Sequence, residues 1–222
     1  MSKSAFKPAV RQQQSLLAGV EKKVLVWFAH RMPRWINSDH LTLLGLFGML
    51  LAGVCYYVAR FNPLALVGSI VCLGVNWFGD SLDGTLARVR NKQRPRYGFY
   101  VDHVVDLFGT LFLIGGLGLS GYMSPAVAMA LLIAYLMLSA EIYLATHTIG
   151  VFRLSFGIWG PTELRIVLAA GNVVLLFKPW VTIGGRVLRL CDVGAIVAIA
   201  GIGLILIASV IRNTVKLYRE ET

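Results

Sequence analysis

This sequence predicts an all-α polytopic membrane protein, with six transmembrane helices preceded by an N-terminal interfacial amphipathic helix, and three observations lead to that fold class. Of the 222 residues, 57% are hydrophobic and 14% charged, with a mean hydropathy of +0.70, too apolar for a soluble domain of this length. Six stretches reach the roughly 20 mostly apolar residues that cross a bilayer. The 21 Lys and Arg residues gather between those stretches, where they suit anionic headgroups and orient the chain rather than bind nucleic acid.

The elements follow in order. Residues 1–39 read as a cytoplasmic N-terminal segment. No compact apolar run follows the basic start (Lys3, Lys7, Arg11), so no cleavable signal peptide is expected. From Leu16 to Trp35, the apolar Leu17, Val20, Val24, Trp27 and Phe28 alternate with Lys22, Lys23, Arg31 and Arg34, the pattern of a helix lying on a membrane surface. Residues 40–222 form the membrane domain, with spans at 40–60, 64–88, 98–119, 124–148, 161–183 and 192–215. Breaks at Asn62-Pro63, Ser120-Gly121, Gly160-Pro161 and Gly184-Gly185 separate them, and Pro63, Pro125 and Pro161 stand at helix starts, where proline is tolerated. Cys55, Cys72 and Cys191 have neither zinc nor redox spacing and read as small core residues. Seventeen Lys and Arg fall on one side of the six spans and four on the other, which places both termini in the cytoplasm of an inner membrane.

The chemistry is concentrated between Asp80 and Asp106. There the chain reads Asp80-x-x-Asp83-Gly84-x-x-Ala87-Arg88, then Gly98-x-x-x-Asp102-x-x-x-Asp106, inside or beside apolar spans. An ionised carboxylate at bilayer depth costs at least a few kcal/mol, so each needs a counter-charge, water or a metal ion. Residues three or four apart share a helical face, so Asp80, Asp83/Gly84 and Ala87 form one stripe and Gly98, Asp102 and Asp106 another. Clustered hard oxygen ligands suit Mg²⁺, Mn²⁺ or Ca²⁺ and not zinc. Four carboxylates can bridge two such ions about 4 Å apart, the clamp used in phosphoryl chemistry. Gly84 leaves room for a ligand against the helix backbone, and Arg88 can fork onto a phosphate oxygen.

At these residues the chain resembles the CDP-alcohol phosphatidyltransferase family, whose signature has the same fixed positions. Its one departure is nine residues between Arg88 and Gly98 where the family has about eight. The resemblance implies a membrane enzyme of phospholipid biosynthesis in bacteria or archaea. Such an enzyme moves a substituted phosphate from a CDP-linked donor to an alcohol acceptor and releases CMP. It implies that Asp80, Asp83, Asp102 and Asp106 hold two Mg²⁺ or Mn²⁺ ions, with Asp106 as the general base. It also implies that Asp80, Gly84, Ala87, Arg88 and Gly98 line the CDP pocket, and that the enzyme is a homodimer. His103, about 100° around the helix from Asp102, is a weaker candidate for the base.

Glu163, Arg153 and Arg165, near the cytoplasmic ends of the fourth and fifth spans, are candidate acceptor-binding residues, with Glu141 and His147 behind them. Glu163 also suits the first turn of a helix after Gly160-Pro161. Because Glu141 and Glu163 offset the two arginines, a neutral or amine-bearing acceptor is expected rather than a phosphorylated one. The donor expected is CDP-diacylglycerol, giving phosphatidyl transfer. The alternatives are a choline or ethanolamine type of phosphotransferase acting on a CDP-amino alcohol and diacylglycerol, to which Gly160-Pro161-Thr162-Glu163 bears a short likeness, and a small cation or proton transporter. Gly45, Gly48, Gly115, Gly116, Gly118, Gly201 and Gly203 permit close helix packing within the bundle or between protomers.

Overall fold

The computed structural model describes residues 10–12, 18–153 and 160–222, with only the backbone given for 10–12, 18 and 151–153. The extreme N-terminal stretch that bears on a signal peptide lies outside them. Among these residues seven helices run in order: α1 (Ala18–Arg31), α2 (Ser38–Ala59), α3 (Ala65–Val89), α4 (Pro95–Leu119), α5 (Pro125–Ile149), α6 (Pro161–Phe177) and α7 (Leu190–Glu221). The strand β1 (Val10–Gln12) pairs in parallel with β2 (Val151–Arg153), and β3 (Trp180–Ile183) pairs antiparallel with β4 (Arg186–Arg189).

Local chemistry sets the ends of these helices. Asn37 caps α2 by accepting from the His40 backbone N–H at 3.1 Å, while His40 Nδ1 accepts from the Asn37 N–H at 3.4 Å. Pro95, Pro125 and Pro161 occupy first-turn positions of α4, α5 and α6, where their missing N–H costs no hydrogen bond. Gly150 ends α5 in the left-handed conformation, with φ of 76°, which spares a Cβ clash.

Among the described residues five helices, α2, α3, α4, α5 and α7, are long and apolar enough to cross a membrane, and the fold is that of an all-α polytopic membrane protein. The expected fifth span needs correction. The apolar stretch at 161–183 predicts one continuous span, but α6 stops at Phe177, and residues 180–183 pair with Arg186–Arg189 instead. Pro179 disfavours helical backbone at Lys178. Gly184 and Gly185, both at positive φ (58° and 77°), supply the two-residue turn that a hairpin's twist demands. At the other boundaries, α4 begins three residues earlier than expected, drawing Gly98 into its first turn, and α7 continues to Glu221.

In lipid, apolar contact alone does not draw helices together, so close backbone approach decides the packing. A Cβ at Gly79 of α3 would stand 2.6 Å from the Gly45 nitrogen of α2, and one at Gly116 of α4 would stand 2.6 Å from the Gly53 carbonyl carbon of α2. The helix α2 is therefore the post on which α3 and α4 both lean. Ala52, Tyr56, Leu66, Leu73, Leu113 and Leu117 fill the buried centre, and the Tyr56 hydroxyl donates to Asn172 Oδ1 at 2.9 Å, linking α2 to α6. Large apolar residues such as Val197, Leu204 and Phe108 are exposed, as a lipid-facing surface requires. A Cβ at Gly115, Gly201 or Gly203 would meet nothing within 4 Å among the described residues, so no close backbone approach depends on these three.

Helix α1 presents two apolar stripes where one was expected. Leu25, Phe28, Ala29 and Met32 pack on Phe78, Leu82 and Leu86 of α3, with the Phe28 and Phe78 rings edge to face at 5.4 Å. Val20, Val24 and Trp27 face outward. Arg90 fastens the end of this helix by donating to the carbonyls of Met32 and Pro33 at 2.8 and 2.9 Å, and to that of Ile36.

Candidate active site

The site grows from the antiparallel arrangement of α3 and α4. The short connection between Val89 and Pro95 returns the chain beside itself, so the C-terminal half of α3 and the N-terminal half of α4 lie at one level. Both helices pack extensively on α2, while α6 flanks α3 and α5 flanks α4. The facing stripes carry the acids toward each other.

Asp80 of α3 and Asp102 and Asp106 of α4 each bring a carboxylate oxygen within 4.8 Å of the others. Oxygens bound to one divalent cation at about 2.0–2.6 Å can lie up to about 5 Å apart, so this spacing fits a single ion without rearrangement. The donor set is all carboxylate, the chemistry that selects magnesium, manganese or calcium. Three like charges this close also repel, and a divalent cation would relieve that repulsion.

Asp83 is differently engaged. Its Oδ2 accepts from the Thr42 hydroxyl at 2.6 Å, its Oδ1 accepts from the Gly84 N–H, and its backbone carbonyl accepts from the Ser38 hydroxyl at 2.5 Å. The first turn of α2 thus holds Asp83 to one side of the three-acid group. Each oxygen keeps a further lone pair with which to ligate.

Arg165 of α6 supplies the positive charge. Its Nη2 donates to Asp80 Oδ2 at 2.6 Å and its Nε to Asn76 Oδ1 at 2.8 Å, and the Asn76 amide in turn donates to the Gly45 carbonyl at 3.0 Å. Asn76 was overlooked in the sequence although its position, four residues before Asp80 on the same stripe of an apolar span, was the signal. Thr42 and Ser38 carried no comparable signal, because nothing in a sequence says which helix end will meet Asp83.

The expected nucleotide-pocket residues lie along the same two stripes. Among the described residues, a Cβ at Gly84 would meet only the flexible end of Arg88, at 3.5 Å, and one at Gly98 would meet nothing within 4 Å. Arg88 donates to the Thr85 hydroxyl at 2.9 Å, and Ala87 is half-buried beside it. His103 is buried, with Nδ1 at 2.6 Å from the Phe99 carbonyl and 4.0 Å from Asp102, and its ring lies edge to face with Tyr143 at 4.9 Å. A carbonyl can only accept, so Nδ1 carries the proton.

The acceptor-side candidates separate. Arg165 reaches the carboxylates, as above. Glu163 is buried and accepts from the Gly160 N–H at 3.1 Å, a capping contact. Arg153 lies on β2, and its side chain is outside the described part of the molecule. Glu141 turns to α7, accepting from the Ser209 hydroxyl at 2.9 Å and the Asn213 amide at 2.7 Å. His147 is exposed near the end of α5.

A comparison with curated proteins finds no match. A family model described as CDP-alcohol phosphatidyltransferase, however, matches residues 35–211, a span that holds both stripes, the helix that supports them and the arginine that pairs with them. The chain therefore belongs to the CDP-alcohol phosphatidyltransferase family, membrane transferases of substituted phosphate groups in phospholipid synthesis.

Proposed function

We propose that this protein transfers a phosphatidyl group from CDP-diacylglycerol to an alcohol acceptor and releases CMP. Asp80, Asp83, Asp102 and Asp106 hold two Mg²⁺ ions in this reading. Bound there, the ions would neutralise charge on the phosphates and stabilise the leaving oxygen. The observation that carries the reading is the convergence of Asp80, Asp102 and Asp106 on one point, in a family generally dependent on divalent metal.

The chain's own groups do the rest. Asp106 takes the proton from the acceptor hydroxyl as its oxygen bonds to phosphorus and the bond from phosphorus to the CMP oxygen breaks. Asp80, Gly84, Ala87, Arg88 and Gly98 form the CDP pocket, and the open space at Gly84 and Gly98 supports this. Arg165, Arg153 and Glu163 face the acceptor. Glu141 and Glu163 offset the two arginines, which favours a neutral or amine-bearing acceptor over a phosphorylated one.

We read α6 as a sixth span. Its 17 residues extend about 25 Å, at the short end of what a bilayer needs, and its first turns lie level with Asp80. Six spans and the basic excess on one side then put both termini in the cytoplasm, in the inner membrane of a bacterium or archaeon. The outward stripe of Val20, Val24 and Trp27 rests α1 on the lipid surface, and the open small-residue surface of α7 at Gly201 and Gly203 is available to a second copy in a homodimer.

The test is CMP release by the purified protein in lipid, with CDP-diacylglycerol and with a CDP-amino alcohol plus diacylglycerol, against a panel of acceptors. Divalent-metal-dependent release only from CDP-diacylglycerol supports the proposal. Release only from the CDP-amino alcohol would transfer the enzyme to the choline and ethanolamine type. No release from either, with cation flux instead, would make it a transporter.

A further inference from the structure

Glu21 is the one acid on the otherwise basic helix α1, and none of its partners among the described residues is a cation. Its Oε1 instead accepts three neutral donors, the Trp77 indole at 2.8 Å, the Ser81 hydroxyl at 3.1 Å and the Thr162 hydroxyl at 2.8 Å. Trp77 and Ser81 belong to α3 and Thr162 to the first turn of α6. Charge-assisted bonds of this kind are about twice as strong as neutral ones, so three on one oxygen define its place closely.

Those partners are the neighbours of the Asp80–Arg165 pair. Ser81 directly follows Asp80, and Thr162 lies three residues before Arg165, almost one turn along α6. The connections close a ring from Glu21 to Ser81 and Asp80, across to Arg165, back along α6 to Thr162 and again to Glu21. Leu175 of α6 shares an apolar cluster with Leu66 and Leu73 of α3, whereas no apolar cluster among the described residues joins α1 to α6. Leu25, Phe28 and Ala29 attach α1 to α3 and to Leu41 at the start of α2, and Arg90 fastens the far end of α1.

Resting on the metal-site reading above, we propose that Glu21 is a positioning residue of the carboxylate site, holding α6 against α3 so that Arg165 meets Asp80. The surface helix α1 thereby becomes part of the machinery that sets the charge on Asp80. A residue that acts only by fastening α1 would change how much protein survives heating. One that acts through Arg165 must also change how the acids bind a cation.

Mn²⁺ binding to the full-length protein in lipid nanodiscs, read by electron paramagnetic resonance, tests this without reference to turnover. Glu21→Ala is expected to tighten Mn²⁺ binding about threefold or more, because Arg165 no longer sits squarely on Asp80. Glu21→Gln, which keeps Oε1 as an acceptor, should stay within about twofold of the wild type. Thr162→Val, a milder change that serves if Glu21→Ala does not assemble, should shift affinity in the same direction.

In an Arg165→Gln background, Glu21→Ala should produce no further change, the non-additivity expected of groups acting in series. Unchanged Mn²⁺ affinity in both Glu21→Ala and Thr162→Val would overturn the proposal, as would a full Glu21→Ala shift persisting without Arg165 or a Glu21→Gln protein as altered as Glu21→Ala. Failure of the wild type to bind Mn²⁺ would overturn the metal-site reading itself, a separate outcome.

Discussion

Arg165 on α6 and Asp80 on α3 are joined at 2.6 Å, although 85 residues separate them in the chain. Asp80 thus answers both to a guanidinium and to the acids Asp102 and Asp106. A single positive charge beside a divalent-cation site opposes the cation, by about 2 kcal/mol at 4 Å in a watery surrounding and more where water is scarce. Arg165→Gln is therefore expected to bind Mn²⁺ more tightly, by about fivefold or more, while turning over more slowly because the acceptor loses a partner. Calorimetry of Mn²⁺ binding beside a CMP-release assay checks both halves. Weaker Mn²⁺ binding would mean that Arg165 chiefly orients Asp80 for the metal.

Chelation should abolish turnover, and added Mg²⁺ or Mn²⁺ should restore it. Replacing any one of Asp80, Asp83, Asp102 or Asp106 by alanine should reduce the rate by about 100-fold or more, since each replacement removes a ligand and unbalances the remaining charges. Full activity in metal-free buffer, or a near-wild-type Asp83→Ala enzyme, would contradict the four-acid assignment.

Asp83 also permits a finer test through its neighbour. Thr42→Val deletes the hydroxyl that donates to Asp83 Oδ2 at 2.6 Å but leaves the carboxylate in place. A loss of one hydrogen bond to a charged group, about 1.5–3 kcal/mol, should appear as a raised Mg²⁺ requirement rather than a lost reaction. The measurement is the Mg²⁺ concentration for half-maximal rate.

Asp106→Asn keeps the shape of the side chain while removing its basicity. Calorimetry should find CDP binding largely intact, with a rate lower by about 100-fold or more, the usual scale for losing a positioned base. His103→Ala should cost much less, because His103 lies about 100° around the helix from Asp102. The reverse ranking would make His103 the base and leave Asp106 a ligand only.

Two glycine substitutions separate nucleotide binding from assembly. Gly84 has open space beyond it apart from the end of Arg88, so Gly84→Leu should assemble normally and lose CDP affinity. Gly116→Leu should instead fail to assemble or melt far lower, since its side chain would enter the backbone of α2 at Gly53. Size-exclusion profiles, thermal melting and CDP calorimetry distinguish the two.

Much of the fold was legible because the bilayer constrains composition so strongly. Apolar length located α2 through α5 and α7, and proline and glycine located most of their ends. The fifth span was misread because residues 180–183 are as apolar as a helix end, and only the stop at Pro179 and the double glycine turn divert them into a hairpin. The double character of α1 was hidden for a similar reason. A single apolar periodicity cannot tell a stripe that faces α3 from one that faces outward.

The sequence by itself determined the reactive inventory, because three- and four-residue spacing on a helix must place Asp80, Asp83 and Gly84 on one stripe and Gly98, Asp102 and Asp106 on another. Only tertiary structure decided which of these groups meet and what else meets them. Helical spacing carries no information about which face of a distant helix will be opposite. That depended on the glycine contacts of α2, which set α3 and α4 at the separation where Asp80 joins Asp102 and Asp106. It depended also on the packing of α6, which brought Arg165 to Asp80, and on α1, whose Glu21 binds both helices of that pair.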